Sequence, residues 1–372
     1  MLRAGTTCSG IGSPEQALKN LNIPHEVKFA IEIDKFARET YQANHEPDEM
    51  HEDITKVDAE QLPDIDLFVA GFPCQAFSIA GKRKGLEDTR GTIFFDCLRI
   101  LKAKQPKYFI LENVKGLLSD QDGATFDTII NSLSKTVNGQ LLMFPNTDSL
   151  NYHVYYKVIN ARDHGIPQNR DRVFIIGFRE DQHSFDFPET QELKLALKDI
   201  LEYQVDEKYK ASQKQIEYLF SSEISKGRTR IDLNMHHSIS KGIANTITAC
   251  IGRGNANSYL IDDSLVSINQ IKSDIIQMNN PKHSNNRVYH SDGVSPSLNT
   301  MQGGNRQPFI YHQDKIRRLT PLECMRLMGF NDGFVIPVSD TQKYKQAGNS
   351  IVVDVLESLL LEVLKNEKKG YV

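Results

Sequence analysis

A cysteine fixed by a preceding proline, just past an apolar run, is the first residue whose setting suggests chemistry. Gly71-Phe-Pro73-Cys74-Gln75-Ala-Phe-Ser78 follows the apolar segment Ile65–Ala70. If that segment is a strand of an open α/β sheet, Cys74 stands at its carboxyl end, where such sheets bind ligands. A thiolate placed there can act as a nucleophile. A single cysteine is more often a small buried hydrophobe, and Cys8, Cys97, Cys250 and Cys324 read that way. Glu112, in Glu112-Asn113-Val114, again puts a carboxyl group at the end of an apolar run, Tyr108–Leu111. Gln168-Asn-Arg170-Asp-Arg172 leads into Val173–Phe178. Two arginines at i, i+2 in extended chain project to one side. There they can hold a carboxyl, a phosphate or a base edge, or serve only as a salt-bridged strand entry.

A second group of residues suggests a nucleotide-like ligand. Cys8-Ser9-Gly10-Ile11-Gly12-Ser13 is a glycine-rich turn before a helix-like stretch, Pro14–Leu21. Glycines allow a sharp turn and close approach to a ligand. Glu32 lies about 20 residues further on, a spacing at which an acidic residue binds ribose hydroxyls. The pattern does not separate a dinucleotide from S-adenosylmethionine. Asp53-Ile54 precedes the next strand and can contact an adenine edge. Taken alone, Asp53 is better read as a helix cap or loop residue.

These residues need a scaffold that presents strand ends together. Apolar segments Val27–Ile33, Ile65–Ala70, Tyr108–Leu111 and Val173–Phe178 alternate with helix-like segments such as Phe94–Lys104 and Thr125–Leu133. That alternation predicts a mostly parallel sheet with helices on both faces, an α/β fold. The pattern weakens after Phe187-Pro188 and turns helical again after Thr320. Ser350–Lys365 carries one apolar face and is expected to pack back onto the first domain. The middle segment is therefore an insertion. The expected division is 1–187 with 344–372, an inserted domain of irregular β character at 188–320, and a connection at 321–343.

Composition bounds the class. The chain has 372 residues, 39% hydrophobic and 25% charged, with five cysteines, no tryptophan and a net charge of −4. That excludes disordered, collagenous and disulfide-scaffold proteins. No apolar run reaches the roughly 18 residues of a membrane span. MLRAGTTCSG does not read as a signal peptide, and the unpaired cysteines suit a reducing cytoplasm. The net charge hides an asymmetry. Residues 226–318 hold 12 Lys/Arg against 6 Asp and no Glu, a balance of +6, and the remainder carries −10. A basic insert in an acidic protein is either a solvated surface or a footprint for a polyanion.

The motifs together, in this order, are specific. The glycine turn, Pro73-Cys74-Gln75, Glu112-Asn113-Val114, Gln168-x-Arg170-x-Arg172 and Gln346-Ala-Gly348-Asn349-Ser350 resemble the DNA (cytosine-5) methyltransferases, closest to the bacterial enzymes of restriction–modification systems. The resemblance implies an S-adenosylmethionine-dependent, Rossmann-like fold with no metal. It makes Cys74 the nucleophile at cytosine carbon 6 and Glu112 the group that holds nitrogen 3 and the amino group. It makes Arg170 the support of that network and Arg172 its neighbour, with Gln75 beside the nucleophile. Cofactor contacts would come from Cys8, Ser9, Gly10, Ile11, Gly12, Glu32, Ile33, Asp53, Ile54, Pro73, Asn349 and Ser350. The run from Ser78 to Phe95 matches the family's mobile loop, with Ser78, Lys82, Arg83, Lys84 and Arg90 toward DNA.

The insert becomes a target-recognition domain on this reading, with Arg253, Arg287 and Arg306 as contacts to bases or phosphates. Ser297 falls in Pro296-Ser-Leu298, which resembles a Thr-Leu pair near the target phosphate. The implied partner is double-stranded DNA, with a cognate restriction endonuclease acting separately. The expected form is a monomer in the bacterial cytoplasm. Two departures stand out. Cys8 and Ser13 replace the ends of the family's Phe-x-Gly-x-Gly-Gly turn, and Ile33 stands where the family commonly has tryptophan. Three alternatives stay open: a tRNA cytosine methyltransferase, a catalytically silent DNA-binding regulator, and a nicotinamide-dependent oxidoreductase. Phe72 argues against the first, since such enzymes usually carry Pro-Pro-Cys-Gln.

Overall fold

Apolar runs that must be covered on both faces become central strands. The computed structural model of the chain describes residues 1–73, 93–142, 148–180, 185–219, 275, 277–279, 286–299, 307–313 and 315–365. Its large sheet contains β1 (Leu2–Thr7), β2 (His25–Ile31), β3 (Glu49–His51), β4 (Leu67–Ala70), β5 (Tyr108–Val114), β6 (Ser134–Val137), β7 (Gln140–Leu141), β8 (Tyr152–Asn160) and β10 (Asp171–Phe178). A short β9 (Gln168–Asn169) precedes β10 outside this sheet. The strand order is β3-β2-β1-β4-β5-β10-β8-β6-β7. β3, β2, β1, β4 and β5 run parallel to one another.

β10, read from sequence as one more strand of a parallel sheet, instead runs antiparallel to both β5 and β8. Its apolar pattern shows only that both faces are buried, and burial carries no direction. The sheet is otherwise the mostly parallel one expected.

Alternate residues of the central strands feed two cores. Val69, Ile110 and Ile176 enter one, with Ala17 and Leu18 of α1 (Ser13–Asn20). Phe68, Ala70, Phe109, Leu111 and Ile175 enter the other, with Cys97 and Ile100 of α3 (Ile93–Lys104) and Ile129 and Leu133 of α4 (Ala124–Leu133). Between them in chain order, α2 (Lys35–Gln42) starts at Asp34, whose carboxylate accepts from Phe36 and Ala37 N–H. A short α5 (Gln213–Leu219) precedes the small sheet described below.

The C-terminal helices close the first core. α6 (Pro321–Arg326) is capped by Thr320, whose hydroxyl accepts from Glu323 N–H, while Glu323 accepts from Thr320 N–H and from Arg317. α7 (Asp340–Asn349) follows. α8 (Val353–Val363) buries Val355, Leu356, Leu359 and Leu360 in the same core as Ala17 and Leu18. The apolar face read over Ser350–Lys365 thus docks on α1, and the helix itself begins at Val353.

A small sheet of β11 (Val288–His290), β13 (Phe309–His312) and β14 (Lys315–Arg318) builds a third core from Val288, Phe309, Tyr311 and Ile316. It is tied to the main body in two ways. β12 (Ser295–Pro296) pairs with β9, and Leu298, Ile310 and Leu319 reach the first core.

Candidate functional site

The strand order reverses its chain sense between β1 and β4, because β2 and β3 continue on one side and β4 and β5 on the other. Such a switch point opens a crevice at the carboxyl ends of the strands. A cleft of about 460 Å³ lies there, lined by residues at or just past the carboxyl ends of β1, β2, β3, β4 and β5. Its size is ordinary for a small-molecule site.

The turn after β1 forms one wall. Cys8, Gly10 and Gly12 all have left-handed backbone, with φ of 49°, 56° and 90°. At Gly10 an added Cβ would meet nothing within 4 Å, so the missing side chain leaves open space on the cleft wall. Glu32 faces this turn. Its two carboxylate oxygens accept from Gly10 N–H and Asp34 N–H, each at 2.8 Å. Each oxygen has a second lone pair left for a ligand hydroxyl. Burial raises the Glu32 carboxyl above its usual value, against the two backbone donors.

Not every residue of the turn faces the cleft. Ser9 Oγ is engaged by Ile31 N–H and Thr6 Oγ1, so it shapes the turn. Gly12 backs onto His45, and a Cβ there would lie 2.3 Å from the imidazole ring. Burial lowers His45 to a pKa of about 4, so the ring is neutral near pH 7. Gly12→Ala is expected to cost about 1–3 kcal/mol from backbone strain alone, with the ring clash added. Melting curves check this. Adding His45→Ala should restore the clash part and leave the strain, and an unchanged melting temperature in Gly12→Ala would refute both.

Aliphatic residues form the next wall. Ile31, Ile33 and Ile54 line the cleft, and Ile33 is 74% exposed. Asp53 accepts from Thr55 N–H at 3.1 Å and Thr55 Oγ1 at 2.7 Å, which lowers its carboxyl. It caps a short 3-10 turn, Ile54–Lys56, while still touching the cleft rim. The rim is braced by Lys345 paired to Asp34, and by Gln346, which donates to Phe36 O. From sequence, Lys345 is not singled out and Gln346 and Asn113 appear only as motif members; Asn113 donates to Phe72 O at 2.9 Å. Their partners lie too far away along the chain for any local pattern to show them.

The far end of the cleft is charged. Glu112 on β5 lies opposite Phe174, so Arg172, two residues back on β10, is its diagonal neighbour on the same face. Arg172 Nε donates to Glu112 Oε1 at 2.9 Å. Burial raises the Glu112 carboxyl above its usual value of 4.5, opposed first by Arg172 and then by Arg170. Both arginines thus act on the carboxylate, and they differ in contact. Arg172 touches the carboxylate, while Arg170 turns its fork to backbone carbonyls. Pro73 lines the same cleft and is the last described residue before Cys74.

Comparison with known proteins then decides the family. The model for C-5 cytosine-specific DNA methylases matches residues 3–365. The chain belongs to that family. The methylase is 37% identical over 360 residues to the type II methyltransferase M.SsoII of Shigella sonnei, covering 96% of this chain and 78% of that one. It is 32% identical to the type II methyltransferase M.HhaI of Haemophilus parahaemolyticus, covering 95% and 92%. Among solved structures it resembles the Dnmt2 methyltransferase of S. pombe, with a TM-score of 0.64, 20% identity and 99% of both chains covered.

The methylase is thus an enzyme of the DNA (cytosine-5)-methyltransferase class, and its family implies use of S-adenosylmethionine. The open cradle at Gly10 and the free lone pairs of Glu32 fit a ligand with hydroxyl groups and a close-lying chain. Among the described residues no group of three or more His, Cys, Asp or Glu is placed to hold a metal ion. No described helix is long and apolar enough to cross a membrane.

The remaining sequence candidates divide by place. Cys8, Gly10, Ile11, Glu32, Ile33, Asp53, Ile54, Pro73, Glu112, Arg170, Arg172 and Asn349 share the cleft. Ser350 is buried beside it, and its hydroxyl is spent on Gln346 O. Ser297 is exposed, with Oγ 3.5 Å from Arg170 Nη1. Arg287 is half-buried just before β11, beside the Tyr289 hydroxyl. Cys74, Gln75, Ser78, Lys82, Arg83, Lys84, Arg90, Arg253 and Arg306 lie outside the described residues.

Proposed function

We propose that the methylase modifies carbon 5 of a cytosine turned out of a specific double-stranded DNA sequence, through a covalent bond to Cys74. The observation that carries this is the single cleft in which a cofactor-type turn, the Glu112–Arg172 pair and the chain entering Pro73-Cys74 meet. Bound S-adenosylmethionine would supply an electrophilic methyl group on sulfonium. Cys8, Gly10, Ile11, Glu32, Ile33, Ile54 and Asn349 would hold it.

Carbon 5 of cytosine is a weak nucleophile, and the residues of the chain change that. The Cys74 sulfur forms a bond to carbon 6 and pushes electron density to carbon 5. Protonated Glu112 donates to nitrogen 3, which takes up the developing charge. Its raised pKa favours the protonated form, and Arg172 fixes its orientation. After methylation, water removes the carbon 5 proton, and the electron pair left behind expels the Cys74 thiolate from carbon 6. A base inside a duplex is out of reach, so the enzyme must extrude it.

Residues 1–187 with 344–372 would form the catalytic unit and 188–320 the recognition unit, joined through 321–343. The similarity to type II methyltransferases supports modification in a restriction–modification system, with the endonuclease acting separately. The enzyme would act as a monomer in the bacterial cytoplasm. Bisulfite sequencing of DNA from expressing cells, with labelled-cofactor assays on duplex, tests the reading. The expected result is a fixed sequence with one protected cytosine. Label on an exocyclic amino group, or on no DNA base, would overturn it.

A further inference from the structure

Arg170 is only 3% exposed and has no carboxylate in its hydrogen-bond shell among the described residues. Its charge is carried by carbonyls from two distant segments. Nη2 donates to Gly348 O at 2.9 Å and Ser350 O at 3.0 Å. Nη1 donates to Leu298 O at 2.8 Å and approaches Ser297 Oγ at 3.5 Å. Gly348 and Ser350 stand at the C-terminal end of α7, where orphan carbonyls and the helix dipole favour a cation. The loop they form carries Asn349 on the cofactor cleft.

The other segment is fixed to the same short strand. β12 pairs with β9, and Leu298 N–H donates to Gln168 Oε1 at 3.1 Å. Among the hydrogen bonds described, residues 295–298 and 348–350 thus meet only through Gln168 to Arg170, and Arg170 lies between β9 and β10, two residues before the Arg172 that pairs with Glu112. A planar fork that bonds both segments at once transmits a shift of one to the other, which a point charge on a flexible stem does poorly.

We infer that Arg170 is a positioning residue that couples occupancy of the cofactor cleft to the order of the 295–298 segment, and so makes cofactor and duplex binding cooperative. This rests on the proposed function of the cleft. Ligand in the cleft steadies the 348–350 loop, the fork steadies residues 297 and 298, and the recognition unit meets DNA with less ordering left to do. Reciprocity follows from linkage: duplex must tighten cofactor binding by the same factor.

Hydrogen exchange of the full chain with and without S-adenosylhomocysteine tests this. The expected result is slowed exchange at 8–12, 346–351 and also 294–299. Protection at 8–12 and 346–351 without 294–299 would leave the cofactor cleft standing and overturn the coupling. No protection anywhere would overturn both. Arg170→Lys keeps the charge and loses the fork. A duplex carrying the methylated site should tighten S-adenosylhomocysteine on the wild type by roughly 5- to 150-fold, and on Arg170→Lys by a factor near one. An equal factor in both proteins would assign Arg170 to folding alone.

Discussion

Replacing Cys74 with alanine is expected to lower methyl transfer to duplex cytosine by about 10⁶-fold, the scale lost when a covalent nucleophile is removed. Cofactor affinity should stay as it is, because the turn around Gly10, Glu32 and the aliphatic wall are untouched. No other described residue of the cleft can substitute. Glu112 is engaged by Arg172, and the Cys8 thiol is pushed well above its ordinary value by burial, so it is a poor nucleophile. A free thiol has a pKa of about 8.5, and nearby cations lower it. Arg170, Arg172 and Lys345, the last paired to Asp34, are the cations that the described part of the cleft provides. The alanine variant should still bind S-adenosylhomocysteine by calorimetry while labelled methyl stays off DNA. A second readout separates covalent from noncovalent routes. With fluorine in place of hydrogen at carbon 5 there is no proton to remove, so the bond to Cys74 should persist as an adduct on a denaturing gel. Turnover in Cys74→Ala within tenfold of wild type would end the covalent mechanism.

The parts of this architecture visible in the sequence are those set by local rules. Apolar runs such as Phe68–Ala70 and Phe109–Leu111 announce buried strands because both faces meet helices. The shared side of Arg170 and Arg172 follows from strand alternation. What sequence could not give is pairing across the fold. β10 has the same apolar look whether parallel or antiparallel, and its direction sets which residues stand diagonal to Glu112. The Arg170 fork closes on carbonyls 178 and 180 residues later, and carbonyls belong to every residue. Gly12 was legible as a turn glycine, but its role as the floor under His45 needed coordinates. Ser9 and Ser350 match a cofactor motif in sequence, yet spend their hydroxyls within the backbone. Motif membership marks where a chain turns, and geometry decides which side chains in that turn remain free.

Glu112→Gln should lose activity and gain stability together. Glutamine can hold the Arg172 donor and still offer a hydrogen bond to a base, but it cannot give up a proton. The rate should therefore fall by roughly 10²–10⁴-fold, the contribution of a general acid, with cofactor affinity unchanged. The stability argument runs through linkage. Glu112 is raised above 4.5 because burial penalises its charge more than Arg172 and Arg170 favour it. The folded state then holds the proton more tightly than the unfolded chain. The stability this contributes is fully present below pH 4.5 and is lost as pH rises through the folded value. As pH rises through the folded value, the wild type takes on a buried charge that glutamine never carries. Removing one partner of a buried pair normally strands the other, but here both arginines keep acceptors. Arg172 donates to Asp171 O at 2.8 Å, and Arg170 rests on three carbonyls. The variant should therefore melt higher than wild type at pH 8, and the difference should shrink toward pH 4.5. Paired melting curves across that range decide it. A variant that melts lower at pH 8 would mean that the ion pair outweighs burial, and that Glu112 works as a carboxylate rather than as the acid.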